Sequence, residues 1–149
     1  MSKIILKTLI NAPIEHCFDL SRNIDLHLQS MKASGENAIA GKKSGLINLH
    51  ESVTWRARHF GITFEMTNKI SSMEYPTSFV DEMIKGPFKK LHHRHQFKIM
   101  DSQTEMTDIF EFQAPFGLLG RLVEKIFLEN YMLKLIEKRN KVIKFQAEW

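Results

Sequence analysis

The sequence predicts an α+β fold in which a curved antiparallel sheet of about six to seven strands wraps around one long C-terminal helix. Two observations carry this prediction. From Glu51 onwards, apolar and polar residues alternate, which is typical of strands that bury one face. At Pro115 and Phe116 the period of the apolar residues changes from about two to about 3.6, which indicates that the chain beyond them is helical.

A strand and two short helices precede this sheet. The segment KIILKTLINAP is rich in β-branched and apolar residues and stops at Pro13, so we predict the first strand at residues 3–11. Pro13 fits the first turn of a helix, and a polar break at residues 21–23 divides the following apolar residues into two short helices. Residues 32–49 are rich in glycine and small polar residues and include at most one short strand, near residues 37–40.

The register of the later strands follows from their apolar faces. If Phe60 and Gly61 form a two-residue hairpin loop, Trp55 lies opposite Met66 and the apolar faces of both strands coincide. Further strands are predicted in TSFVDEMIK, KLHHRHQFKIM and TEMTDIFEFQA, and a long amphipathic helix over about residues 118–145. The apolar residues at helical intervals are Leu119, Leu122, Val123, Ile126, Met132, Leu133, Ile136 and Ile143.

Length and composition exclude several classes of protein. A chain of 149 residues with 43% hydrophobic and 26% charged residues is expected to fold as one domain, residues 1–149. The formal net charge is +4, but lysine and arginine are spread along the chain, which argues against nucleic-acid binding. No apolar run approaches the roughly 18 residues that span a bilayer, and no signal peptide is recognisable. With Cys17 as the single cysteine, we expect a soluble, cytoplasmic protein.

The segment INAPIEHCFDL, together with the order of elements, resembles the START/Bet v 1-like superfamily, also called SRPBCC or polyketide cyclase/dehydrase-like. Members commonly have an apolar residue, Ala-Pro, an acidic residue and Val-Phe after the first strand. The matching residues here are Ile10, Ala12, Pro13, Glu15 and Phe18, and Cys17 stands where valine is usual. The later segment TDIFEFQAPFGLLGRL resembles the last strand and helix entry of a bacterial branch of this superfamily.

This resemblance covers nearly the whole chain and implies a helix-grip fold with a cavity between the sheet and the C-terminal helix. Members of the superfamily include lipid carriers, hormone receptors, aromatase/cyclases, chaperone cofactors and oxygenase domains. The resemblance therefore implies a fold and a place for a ligand, but no shared catalytic residue.

Three histidines in KKLHHRHQFKI are the most distinctive polar group in the sequence. His93 and His95 share the parity of Leu91 and Phe97 along the strand, whereas His92 has the opposite parity. A strand that buries its apolar residues must therefore carry His93 and His95 inward and leave His92 on the solvent side.

Two acidic residues are expected to join the inward histidines. A short loop at residues 101–102 would pair His95 with Asp108 on the next strand, with Cβ atoms about 5 Å apart, so that the two side chains could hydrogen-bond. Asp81 is predicted to face the same cavity, although a two-residue loop after its strand would place it opposite His92 instead.

These residues define a candidate ligand site on the inner face of the sheet. The predicted ligand-binding residues are Trp55, His59, Phe64, Met66, Asn68, Phe79, Asp81, Met83, His93, His95, Phe97, Asp108, Phe110 and Phe112. Our first hypothesis is a protein that binds a small apolar, aromatic or lipid-like molecule, with aromatic walls and polar anchors. The structural alternative is that the same aromatic residues fill an ordinary core.

An enzyme is the main functional alternative. A cyclase, dehydratase or hydrolase could use His95 and Asp108 as an acid/base pair, although the sequence has no recognisable catalytic motif and a structural pair would look the same. His-x-His on a strand offers two metal ligands, but zinc needs at least a third, so we expect neither metal nor cofactor.

A protein partner is a further hypothesis, because basic residues are frequent near the C-terminus. They are Lys134, Lys138, Arg139, Lys141 and Lys144. They could contact an acidic partner, but a solvent-exposed helix face is the simpler explanation.

Overall fold

Seven antiparallel strands form one sheet in the computed structural model, which describes residues Met1–Trp149. The strands are β1 (Ser2–Ile10), β2 (Asn37–Gly41), β3 (Ser52–His59), β4 (Ile62–Glu74), β5 (Ser78–Lys85), β6 (Lys90–Met100) and β7 (Gln103–Gln113). Their order is β1-β7-β6-β5-β4-β3-β2, so that the first strand pairs with the last. The predicted strand number and the short strand in residues 32–49 are confirmed.

Two short helices follow β1, as predicted. Helix α1 (Ile14–Ser21) starts directly after Pro13, and α2 (Ile24–Ser30) follows it after a two-residue break. The side chain of Asn23 caps α2 by accepting a hydrogen bond from the backbone N–H of Leu26 at 3.1 Å. A single 3₁₀ turn then leads into β2.

Both predicted hairpin loops are present. Phe60 and Gly61 connect β3 to β4, and both have positive φ, 56° and 74°, as type I′ hairpin turns require. Trp55 lies opposite Met66, and the loop at residues 101–102 gives β6 and β7 the predicted register. The apolar faces of the central strands therefore coincide on one side of the sheet.

The C-terminal helix consists of α3 (Gly117–Val123), a π-type turn (Glu124–Leu128) and α4 (Glu129–Glu148). The sheet curves around this helix, which gives the predicted helix-grip arrangement. Ile136 and Ile143 of α4 are buried in the core, as the amphipathic pattern predicts. None of the helices combines the length and apolarity that crossing a membrane requires.

The amphipathic prediction is wrong for the first part of this helix, where the apolar residues are exposed. These residues are Leu119, Leu122, Val123 and Ile126. A regular helix would place them on the same side as Leu133 and Ile136. The π-type turn contains one extra residue, which rotates the preceding turns by about 100° around the helix axis. These four apolar side chains therefore point away from the core.

Buried contacts hold this rotated segment in place. The carboxylate of Glu124 is buried and accepts hydrogen bonds from Ser2 Oγ and from the backbone N–H of Ala114, both at 2.7 Å. Gly120 is the only buried residue of α3, and a Cβ atom there would collide with the carbonyl oxygen of Pro115. The helix start thus lies directly against the end of β7.

Candidate ligand cavity and its buried polar cluster

A cavity of about 360 Å³ lies between the concave face of the sheet and α4. This volume is within the usual range of small-molecule pockets, roughly 300–1,000 Å³. Of its 33 lining residues, 20 are hydrophobic, so most of a bound molecule would contact apolar side chains.

Most of the residues predicted from sequence line this cavity. They are Trp55, His59, Phe64, Met66, Asn68, Phe79, Asp81, His93, His95 and Phe110. Four predicted residues do not line it. Phe97 and Phe112 are buried in the apolar core, Met83 packs beside that core, and Asp108 lies behind His93 with no exposed surface. Strand parity predicts the face on which a side chain lies, but not which neighbours cover it.

Asp108 is the centre of a buried polar cluster. Its Oδ1 accepts a hydrogen bond from His93 Nε2 at 2.7 Å, and its Oδ2 accepts one from Asn140 Nδ2, also at 2.7 Å. Arg139 Nη1 lies 3.5 Å from Oδ1. The carboxylate therefore has partners from both β6 and α4, as a fully buried charge requires.

The predicted His95–Asp108 hydrogen bond needs correction. His95 lies opposite Asp108 in register, but the distance from its Nδ1 to Asp108 Oδ1 is 3.4 Å. Its short hydrogen bond runs from Nε2 to Asp81 Oδ2, at 2.6 Å. Side chains on strands lean along the strand, so each histidine reaches the diagonal carboxylate instead of the opposite one. Asp81 itself lies opposite His93 and faces the cavity.

Burial and hydrogen bonding set the ionisation of the cluster. Burial, reinforced by the neighbouring His95, lowers the pKa of His93 to about 4. Burial alone would raise the pKa of Asp81, but the hydrogen bond and charge of His95 hold it at about 2. The pKa of Asp108 is well below its usual value despite burial, because His93 and His95 stabilise the carboxylate, with a smaller contribution from Arg139. At neutral pH both carboxylates are ionised and His93 is neutral.

Arg139 and Asn140 are the members of the polar cluster that the sequence does not assign to the site. Arg139 was expected on a solvent-exposed face, but its guanidinium is buried and also donates from Nη2 to Ser21 Oγ at 2.7 Å and to the backbone carbonyl of Ser21 at 3.0 Å. A signal was present in the sequence: both residues lie between Ile136 and Ile143 at the three- and four-residue spacing of the buried stripe.

Solved structures with the same arrangement cover almost the whole chain. A protein from Thermus thermophilus, TTHA0849, has a TM-score of 0.79 at 14% identity, over 98% of this chain and 97% of that one. A START superfamily protein from Mycobacterium smegmatis has a TM-score of 0.71 at 13% identity with the same coverage of both chains. The fold is that of the START/Bet v 1-like superfamily.

A plant protein has the START/Bet v 1-like fold as well. Ginseng major latex-like protein 151 from Panax ginseng matches with a TM-score of 0.70 at 14% identity, over 98% of this chain and 97% of that chain. No protein-family model matches the chain, and no curated protein matches it significantly. At these identities the structural likeness shows the fold alone.

Within the cavity, Asn68 carries a buried polar atom without a partner. Its Nδ2 donates to Asp81 Oδ1 at 3.3 Å, while its Oδ1 has no hydrogen bond in the protein. The ionised carboxylate of Asp81 can only accept, so the amide must turn its nitrogen towards Asp81. The remaining oxygen is an acceptor without a partner and has almost no accessible surface, so a ligand with an O–H or N–H group reaches it only after a small movement of the side chains that cover it.

A second polar pair lies at the loop end of the cavity, where the β3–β4 hairpin, the β5–β6 loop and the start of the C-terminal helix meet. His59 Nδ1 is 2.6 Å from the hydroxyl oxygen of Tyr131, which joins β3 to α4. Burial lowers the pKa of His59 and raises that of Tyr131, so both are neutral at pH 7 and the phenol can donate to the imidazole. This pair connects sheet and helix beside the ring of Phe60.

Asp81, His93 and His95 are close enough to be considered as metal ligands, with one ligand atom from each within 4.8 Å of the others. The imidazole rings of His93 and His95 are stacked, however, with centroids 3.8 Å apart and an angle of 26° between the planes. Their in-plane lone pairs are therefore nearly parallel and do not converge on one point, as tetrahedral coordination requires. The arrangement favours hydrogen bonding over metal binding.

Proposed function

We propose that the protein binds a small, mainly apolar molecule that carries a hydrogen-bond donor such as a hydroxyl group. The observation that supports this proposal is the unpaired acceptor, Asn68 Oδ1, in a largely apolar cavity. Filling the cavity with apolar groups contributes affinity, while the buried acceptor selects for a donor. Asp81 and Asp108 are ionised, and both arginines of the cavity wall already have carboxylate partners, Arg22 with Asp19 and Arg139 with Asp108, so an anionic ligand is unfavourable.

The test compares two ligands of the same chain length by calorimetric titration, a medium-chain primary alcohol and the corresponding carboxylate. We expect the alcohol to bind about tenfold more tightly or better. Asn68→Leu should remove much of this preference, whereas Asn130→Leu, on the exposed face of α4, is the matched control and should retain it. Failure of the alcohol to bind at micromolar concentration, or equal binding of the carboxylate, would contradict the proposal.

Native mass spectrometry of protein purified from its own host complements this comparison. The bound compound, after extraction, should be mainly apolar with at least one O–H or N–H group. An empty cavity in freshly purified protein, or a bound carboxylate, would argue against the proposed ligand class.

An acid/base enzyme is the second candidate, and one observation favours it. His93 lines the cavity with Nε2 bound to Asp108, which leaves Nδ1 free of protein partners. In an acid/base mechanism, His93 and Asp108 would take the role that the sequence predicts for His95 and Asp108. A pKa of about 4 makes His93 a weak general base at neutral pH, so we place binding first. If the extracted compound is recovered chemically unchanged after incubation with the protein, binding is supported.

We also propose that the protein works in a reducing compartment, the cytoplasm. Cys17 is a free thiol without exposed surface, and burial raises the pKa of that thiol. A chain whose single cysteine is a free thiol has no internal disulfide, as is usual for proteins of reducing compartments.

A further inference from the structure

The start of the C-terminal helix presents a surface that the cavity does not explain. We define the apolar patch as Phe116, Leu118, Leu119, Leu122, Ile126 and Phe127. Leu118 is 84% exposed and Phe116 is 82% exposed. Six large exposed apolar side chains at the start of one helix are more than the scattered exposed residues of an ordinary surface, and such a patch indicates an interaction site.

The exposed charges of this segment are all positive. Between Phe116 and Phe127 every exposed residue is apolar, glycine or basic, the basic residues being Arg121 and Lys125, and the one acid, Glu124, is buried. Lys89 and Lys90, in and after the β5–β6 loop at the same end of the sheet, are also exposed. Two acids at this end, Glu65 and Glu129, form ion pairs with Arg56 and Lys125.

The patch continues directly into the cavity wall. The ring of Phe127 lies 5.0 Å from that of Phe60 and 5.9 Å from that of Tyr131, and both Phe60 and Tyr131 line the cavity. Phe60 and Phe116 also have positive φ, 56° and 74°, a backbone conformation that bulky residues rarely adopt. Two exposed phenylalanines are thus held in unfavourable conformations next to the loop end of the cavity.

We propose that this patch docks the protein on the surface of an anionic lipid bilayer, with the loop end of the cavity facing the lipid. An apolar helix face flanked by lysine and arginine is the arrangement that binds at a membrane interface without spanning it. The basic residues contact lipid headgroups while the leucine and phenylalanine side chains enter the acyl boundary. A second copy of the chain would bring Arg121 and Lys125 towards the same basic residues, which disfavours self-association.

Vesicle co-sedimentation tests the proposal. The protein should bind vesicles made of equal parts phosphatidylcholine and phosphatidylglycerol, and bind pure phosphatidylcholine vesicles much more weakly. Replacing Leu119 and Leu122 together by glutamate should abolish binding. Replacing Arg121 by glutamine should weaken binding to the anionic vesicles about fivefold, because each basic residue near the surface contributes by that factor.

Ile99→Glu is the matched control. Ile99 and Leu119 are both 64% exposed, but Ile99 lies next to the β6–β7 turn at the opposite end of the sheet, so its variant should bind like the parent. Circular dichroism checks that each variant is folded. If the Leu119/Leu122 double variant does not fold, Ile126→Glu serves as the patch variant. Absence of binding to anionic vesicles overturns the proposal. The proposal is also overturned if sedimentation velocity shows a dimer that the patch variant does not form, because a second copy of the chain would then cover the patch.

Discussion

His93 donates its Nε2 hydrogen to Asp108 Oδ1 at 2.7 Å, and this bond runs diagonally across two strands whose register places His95, not His93, opposite Asp108. The same diagonal geometry joins His95 to Asp81 at 2.6 Å. Two crossed pairs thus connect β5, β6 and β7 beneath the cavity. Each pair holds one imidazole in a defined orientation. Titration and mutation can therefore test the role of each pair.

The first prediction concerns the protonation of His93. Because burial is the largest contribution to its low pKa, His93 should remain neutral down to about pH 4. Two-dimensional NMR of the imidazole nitrogens can follow this, with His93→Gln used to assign the resonances. In the neutral form the proton should reside on Nε2, which donates to Asp108. A midpoint near pH 6.5 would contradict the buried arrangement.

The second prediction concerns stability in acid. The folded protein keeps His93 neutral until about pH 4, whereas an unfolded histidine takes up its proton near pH 6.5, so stability should fall by up to about 3 kcal/mol between these values. Asp81, with a pKa of about 2 when folded, should cause a further loss below about pH 4. Urea unfolding at several pH values measures both. In His93→Gln the loss above pH 4 should largely disappear, and an unchanged slope would exclude His93 as its source.

The third prediction concerns Arg139. Arg139→Met removes the guanidinium that contacts Asp108 and Ser21 and leaves a buried carboxylate with fewer partners, so we expect a loss of about 3–5 kcal/mol. Lys138→Met, on the neighbouring exposed position, is the control and should change the free energy of unfolding by less than about 0.5 kcal/mol. Equal effects of the two substitutions in urea unfolding would refute the structural role of Arg139.

The fourth prediction concerns Gly120. An alanine there would place its Cβ against the carbonyl oxygen of Pro115, so the start of the helix must move or the protein loses about 1–3 kcal/mol. Leu118→Ala, two residues away and exposed, should have little effect on stability. Thermal unfolding compares the two, and Gly120→Ala with parental stability would show that the helix start is not packed tightly against β7.

Strand periodicity is sufficient to predict the fold and the face of the sheet on which each histidine lies. The apolar faces of β3, β4, β6 and β7 determine the register, because a shift by one residue would expose them all. Periodicity could not predict that His93 rather than His95 would bind Asp108, since that choice depends on how side chains lean along their strands. For Arg139 the spacing from Ile136 and Ile143 does indicate a buried position, but the residue type argues against it, because a basic residue in a lysine-rich helix is usually exposed; its burial here depends on contacts with distant residues such as Ser21.

The π-type turn at residues 124–128 determines what the first half of the C-terminal helix can do. One residue fewer in this turn would convert it to regular helix and rotate Leu119, Leu122 and Ile126 by about 100° towards the sheet. These side chains would then occupy space in the cavity instead of being exposed on the protein surface. The single extra residue of this turn therefore decides whether these apolar side chains face the surroundings or fill the interior, and its deletion would exchange one arrangement for the other.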